Sequence, residues 1–301
     1  MNKHRHLLAL IAALLLWGTS FPTMKYILAT NHPFTILFYR FLFAFILLIP
    51  FFIFKFREYF PVIIRHKKLF ILGILNFVGM GFQISGIKYT TSTKSVIIIQ
   101  MLIVVVPVLA YFFLKEKIDI WKLSGMVFSF TGAIILSTNL QFDGLLKRGT
   151  VVGDLLILGA VLAWGVFIIL TRKFAMTFGA FLLLFPSVAA TVCFAFPTVW
   201  MTRTMTVDAA GLWGSLLLAV FCTIIPTLLY NYALTVVDAT TSTIINPIEI
   251  LSAGLLGILF LGETLTPVEL SGGILILLSV YIVTIRKKNK PQRHKGTKEK
   301  M

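Results

Sequence analysis

The amino-acid sequence predicts an all-α integral membrane protein with ten transmembrane helices arranged as two inverted five-helix repeats. Composition, the spacing of apolar runs and self-similarity at a fixed offset carry this expectation. Of the 301 residues, 58% are apolar and 13% charged, against roughly 45–50% and 25% in an average soluble protein. With a mean hydropathy of +0.95, most of the chain is solvated by lipid, and a water-facing fold has little sequence left to occupy.

Crossing a hydrocarbon core of about 30 Å takes about 20 helical residues, because each backbone group must find its partner within the segment. Ten segments qualify. Span 1 (7–28) follows Lys3 and Arg5, as a signal peptide would, but its length and its partner segment in the second half argue that it is retained. Its centre, Gly18, Thr19, Ser20, Phe21 and Pro22, gathers helix weakeners and predicts a kink. Span 2 (34–54) starts behind Pro33 and carries Arg40. Span 3 (69–87) holds Asn76 and Gln83, seven apart and so on one face. Span 4 (94–114) holds Gln100 and Pro107, and span 5 (121–138) follows Asp119 as its cap.

Span 6 (151–171) contains Trp164 and ends at Arg172 and Lys173, which read as cytoplasmic anchors. Span 7 (180–200) is uniformly apolar. Span 8 (211–235) carries a stripe of Thr223, Thr227 and Tyr230, with Asn231 beside it and Pro226 as a kink. In span 9 (241–261), Ser242, Asn246, Glu249 and Ala253 recur at helical spacing, and Pro247 predicts a freed carbonyl near residue 243. Span 10 (267–285) opens on Thr266-Pro267-Val268-Glu269, a capping box with proline at the first helical position.

The net charge of +16 is distributed by topology. Alternate links on one side, with both termini, hold 20 Lys and Arg; the other side holds six, and Arg40 lies within span 2. Both termini are therefore expected in the cytoplasm, with the basic tail at an anionic leaflet and no nucleic-acid partner. Cys193 and Cys222 sit within apolar runs, where neither a disulfide nor a metal site is expected.

The chain repeats at an offset of 147 residues: Trp17-Gly18 matches Trp164-Gly165, and residues 91–135 share thirteen identities in 45 pairs with 238–282, including Glu116 with Glu263 and Ser124-Gly125 with Ser271-Gly272. Five spans per repeat is an odd number, so the second half enters the membrane from the opposite side. The expected units are 5–147, 148–286 and a cytoplasmic tail at 287–301. Two similar halves of opposite orientation can exchange conformations around a shared site.

Ten spans in two repeats, a Trp-Gly in the first span of each, and a fourth span ending in Phe-Leu-x-Glu (Phe113 to Glu116, Phe260 to Glu263) resemble the EamA type of the drug/metabolite transporter superfamily. The resemblance implies secondary transport of small metabolites across the cell membrane, with a cavity lined by the first, third and fourth spans of each half. It leaves the substrate open.

Glu249 is the most informative single residue. It lies about nine residues into span 9, ~13 Å deep at ~1.5 Å per residue. A carboxylate at that depth costs about 2.5–3.5 kcal/mol on insertion scales and should face the bundle or a wet cavity. It is either a cation or proton site, or a structural acid bonded to a neighbouring helix. The expected substrate-binding residues are Trp17, Gln83, Gln100, Trp164, Tyr230, Asn231, Asn246 and Glu249. Aromatic walls, amides and one carboxylate suit a small zwitterion or amine, with protons as coupling ion. Each side chain has a plainer reading as interhelical packing or glue. Arg40 is expected to be structural, Lys25 to snorkel to water, and Glu116 and Glu263 to belong to tight turns between helices. No phosphate-binding loop, zinc spacing or nucleophile–base arrangement is present, so neither a cofactor nor an enzymatic activity is expected. The alternative reading is a lipid flippase or lipid-modifying membrane enzyme.

Overall fold

The computed structural model describes residues 3–55, 59–142, 151–261 and 264–285. Among these, ten helices are long and apolar enough to cross a membrane: Lys3–Met24, Pro33–Phe54, Lys67–Ile87, Lys94–Leu114, Ile120–Thr138, Val151–Phe178, Ala180–Thr202, Ala209–Ala233, Ala239–Leu259 and Pro267–Ile285. The chain is thus an all-α, multi-pass membrane protein of two inverted repeats. Glu263, the basic tail and the link at 143–150 lie outside the described residues.

Local chemistry sets the ends of the spans. Asp119, Asp208 and Asp238 each accept the backbone N–H three residues on, capping spans 5, 8 and 9. The capping box of span 10 is present in both directions: Thr266 N–H donates to Glu269 at 2.7 Å and Glu269 N–H to the Thr266 hydroxyl at 3.2 Å. Span 6 does not end at Arg172 and Lys173. It continues to Phe178 and stops at Gly179, whose φ of +79° lies in the region favoured by glycine. Arg172 remains within the helix because its guanidinium donates to the Leu234 carbonyl at the end of span 8.

Packing crosses between the repeats. Span 1 lies against span 8 and the second part of span 9, and its mate span 6 lies against spans 3 and 4. Span 7 packs on spans 2 and 3, and span 2 on span 8. Spans 5 and 10 pack along each other at the pseudo-two-fold axis. There Gly132 and Gly272 approach so closely that a methyl group on either would come within 2.7 Å of the other's carbonyl oxygen. The largest core cluster accordingly mixes both halves, with Leu10 and Leu14 of span 1 beside Leu183, Leu234 and Ile276.

Three spans are broken near the middle of the membrane. Span 1 turns at Thr19, between helices Lys3–Gly18 and Ser20–Ile27. Span 4 divides at Met101 into Ser92–Gln100 and Leu102–Leu114, and span 9 divides at Asn246–Pro247 into Ala239–Ile245 and Ile248–Leu261. At the offset of 147, Met101 corresponds to Ile248, so the breaks in spans 4 and 9 are repeat mates to within a residue or two. Span 8 carries a π-turn at Val220–Ile224.

Candidate functional site

The breaks of spans 1 and 9 meet. Gly18 is placed so that a methyl group there would lie 2.5 Å from both the Glu249 carbonyl oxygen and Ser252 Cβ, and the Ser252 hydroxyl donates to the Leu15 carbonyl at 2.8 Å. Glycine at this position lets the two backbones touch, which fixes Glu249 beside the kink. Half-buried Glu249 accepts from Asn246 Nδ2 at 3.5 Å across the turn. Trp17, one residue before Gly18, tilts against Tyr230 with ring centroids 5.1 Å apart, and the Tyr230 hydroxyl lies 3.4 Å from Ser242 Oγ. Trp17, Tyr230, Asn246 and Glu249 therefore share one layer where spans 1, 8 and 9 converge.

A cleft of about 360 Å³ opens next to this layer, lined by Thr19, Pro22, Thr23 and Leu256 from the second helices of spans 1 and 9 and the kink between the helices of span 1. Thr19 and Pro22, read from the sequence as helix weakeners, thus also line a cleft, while Thr23, Ser252 and Leu256 have no signal in the apolar pattern. The stripe drawn through Ala253 assumed an unbroken helix. With span 9 restarting at Ile248, it is Ser252 that reaches span 1, and Leu256 follows it one turn on. The carbonyl of Thr243, expected to be free, accepts from Asn246 N–H at 3.3 Å because the chain tightens to an i−3 bond before Pro247.

The remaining expected residues lie elsewhere. Trp164 packs its indole on Gly79 of span 3, where a methyl group would sit 2.6 Å from Nε1. Gln83, one turn beyond Gly79, is half-buried, as is Gln100 at the break of span 4. Among the described residues no hydrogen bond or ring contact joins these three to the Glu249 layer. At the 147 offset, however, Gln83 is the mate of Tyr230 and Trp164 of Trp17, whereas Glu249 has Leu102 as its mate. One half contributes a carboxylate and a phenol, the other an amide and a leucine. Asn231 is buried and donates to the Ala180 carbonyl at 3.3 Å, tying span 8 to the start of span 7. Asn76 likewise donates to Thr191 at 3.4 Å.

The end of span 4 and the start of span 5 are tied to the start of span 9. Glu116 reaches from the end of span 4 to the start of span 9, where its carboxylate accepts from Ala239 N–H at 2.8 Å, Thr240 N–H at 3.0 Å and the Thr240 hydroxyl at 2.7 Å. Lys122 pairs with Asp238 at 3.0 Å. All seven residues from Ala239 to Ile245 are buried. The sequence reading of Glu116 as part of a local turn missed this contact across the molecule.

The match to known proteins extends over both repeats. A model of the EamA-like transporter family aligns twice, with residues 4–138 and 151–285. The chain belongs to this family. An uncharacterized transporter of Archaeoglobus fulgidus is 29% identical over 280 residues, covering 93% of this chain and 85% of the relative. The uncharacterized transporter YetK of Bacillus subtilis is 27% identical over 284 residues, covering 87% and 81%. A solved crystal structure superposes with a TM-score of 0.80 at 15% identity, covering 94% of this chain and 98% of the other, which is a likeness of fold. This EamA-like transporter thus pairs a family-wide scaffold with a mid-membrane layer whose polar groups are unequal between its halves.

Proposed function

We propose that this EamA-like transporter is a secondary active carrier of a small zwitterionic or amine-bearing metabolite, of which amino acids are the leading class. It works by alternating access across the cell membrane, with both termini in the cytoplasm and protons as the coupling ion. The observation that carries the reading is the break of span 9 at Asn246–Pro247 beside Gly18, with Glu249 in the first turn of the following half-helix and a cleft alongside. Discontinuous helices expose one positive and one negative helix end at mid-membrane, and these suit the carboxylate and the ammonium of one substrate. Glu249 and the faces of Trp17 and Tyr230 add cation-attracting groups on one side of the site. The Glu116 contacts to span 9 and the cleft at Thr19 support this reading, since alternating access needs one end of the path held together while the other is open.

The test is uptake of radiolabelled amino acids and polyamines into proteoliposomes under an imposed pH gradient, with labelled phospholipid as a parallel arm. Gradient-dependent accumulation of an amino acid or amine is the expected result. Transbilayer movement of phospholipid without solute uptake would replace this reading with that of a lipid carrier.

A further inference from the structure

We infer that Arg40 is a positioning residue of the transport site: it clamps the π-turn of span 8 to the kink of span 1 and so sets where Thr19 stands on the wall of the cleft. Arg40 is buried in span 2, and among the described residues no carboxylate pairs with it. Its Nε donates to the Thr223 hydroxyl at 2.7 Å and its Nη2 to the Cys222 carbonyl, and its guanidinium carbon lies 5.7 Å from the Phe41 ring centre. A buried cation with neutral acceptors is a poor source of stability, and an apolar side chain of similar volume would serve packing better. What a guanidinium offers here is a planar fork that donates in two directions at once.

The sequence supplies the need for that fork. In a regular helix the Cys222 carbonyl would accept from residue 226, but Pro226 has no N–H. The helix widens into the π-turn at Val220–Ile224, the Thr223 hydroxyl turns back to the Leu218 carbonyl at 3.0 Å, and Arg40 takes the carbonyl that Pro226 leaves. Fixing Cys222 in this way directs its thiol to span 1. Cys222 Sγ lies 3.3 Å from Thr19 Oγ1 and donates to the Leu16 carbonyl at 3.5 Å, the same carbonyl that accepts from the Thr19 hydroxyl at 2.7 Å. An unbroken series of contacts therefore runs from Arg40 through Cys222 to Thr19, which lines the cleft. The importance of Thr19 for transport rests on the proposed function; the geometry of the clamp does not.

Cys222 reports on the clamp directly. With Cys193→Ser it is the only thiol in the chain, and its burial makes alkylation by N-ethylmaleimide slow. In the purified full-length protein, Arg40→Gln should accelerate that alkylation roughly tenfold, as local opening of a buried segment does. Thr223→Val should accelerate it less. Arg40→Lys keeps the charge but not the fork, so it should also react faster than the parent while melting at the parent's temperature. A role limited to charge predicts parental reactivity for Arg40→Lys, and a role limited to stability predicts that reactivity and melting temperature move together. Either result overturns the inference. Should Arg40→Gln fail to accumulate, parental alkylation rates in both Arg40→Lys and Thr223→Val overturn it equally. No substrate enters this measurement, so its failure is separate from a failure of the transport reading.

Discussion

At the scale of single residues, Glu249 and Asp208 show how the same side-chain chemistry serves different ends. Glu249 sits at a helix break beside a cleft, with Asn246 at 3.5 Å as its bonded neighbour. If proton and substrate compete for it, neutralising it permanently should uncouple the carrier. Glu249→Gln is therefore expected to abolish pH-driven accumulation in proteoliposomes while retaining substrate-for-substrate exchange and folded protein; unchanged pH-driven uptake would remove Glu249 from the mechanism. Asp208 lies outside the spans. Hydrogen bonds from Thr30, from Asn31 and from the Gly211 N–H hold its carboxyl below the usual range. A lowered folded value means stability that is complete above about pH 4, the ordinary carboxylate value, and lost as pH falls through the lowered one. Asp208→Asn should thus lower the melting temperature at pH 7, and the deficit relative to the parent should shrink by pH 3. Glu249 was visible in the sequence because charge at depth is rare. The geometry of Thr19, Ser252 and Leu256 was not, because the register of span 9 changes at Pro247 and periodicity carried through a break assigns the wrong face.

At the scale of elements, the half-helix Ala239–Ile245 is held at its start by a contact from another span. The first four N–H groups of a helix lack internal partners. Here Asp238 takes that of Thr241, and Glu116, from another span, takes those of Ala239 and Thr240. Removing the Glu116 carboxylate leaves two buried backbone donors and the Thr240 hydroxyl without this acceptor, each backbone donor at a cost of about 1–3 kcal/mol. In the proposed alternating-access cycle, opening this end would break the same bonds, which would then weight the balance of states. Hydrogen exchange across residues 236–246 should therefore quicken in Glu116→Ala, and by less in Glu116→Gln, whose amide oxygen still accepts. Exchange at the parental rate in both variants would show that Glu116 holds nothing closed. Ten spans, the caps at Asp119 and Thr266 and the kink at Thr19 followed from apolar length, side-chain oxygens and helix weakeners, all of which act locally. The reach of Glu116 to Thr240 joins residues 124 apart, and the extension of span 6 past Arg172 depends on the carbonyl of Leu234. Neither has a local signature.

At the scale of the whole molecule, the inverted repeat packs the first span of each half against the other half. Span 1 packs on spans 8 and 9, and span 6 on spans 3 and 4, so neither five-span unit buries its own core. Leu10 and Leu14 are fully buried only because the second repeat covers them, and Gly18 meets Glu249 only across the repeat boundary. In the proposed transport cycle, a movement of one repeat relative to the other would shift the breaks of spans 1 and 9 against each other. The interleaving also bears on assembly. In lipid the hydrophobic effect gives no drive between helices, and association depends on close van der Waals packing and hydrogen bonds between spans. Residues 1–142 alone lack the surfaces that spans 8, 9 and 10 supply and should be degraded or remain protease-sensitive in the membrane. Co-expression with residues 143–301 from a second reading frame should restore a protease-resistant complex that copurifies through a tag on either part. Substituting Gly132 or Gly272 with leucine, which forces spans 5 and 10 apart at their closest approach, should abolish that copurification. Stable accumulation of residues 1–142 in isolation would mean that the first repeat forms its own core, contrary to the packing of span 1 on spans 8 and 9.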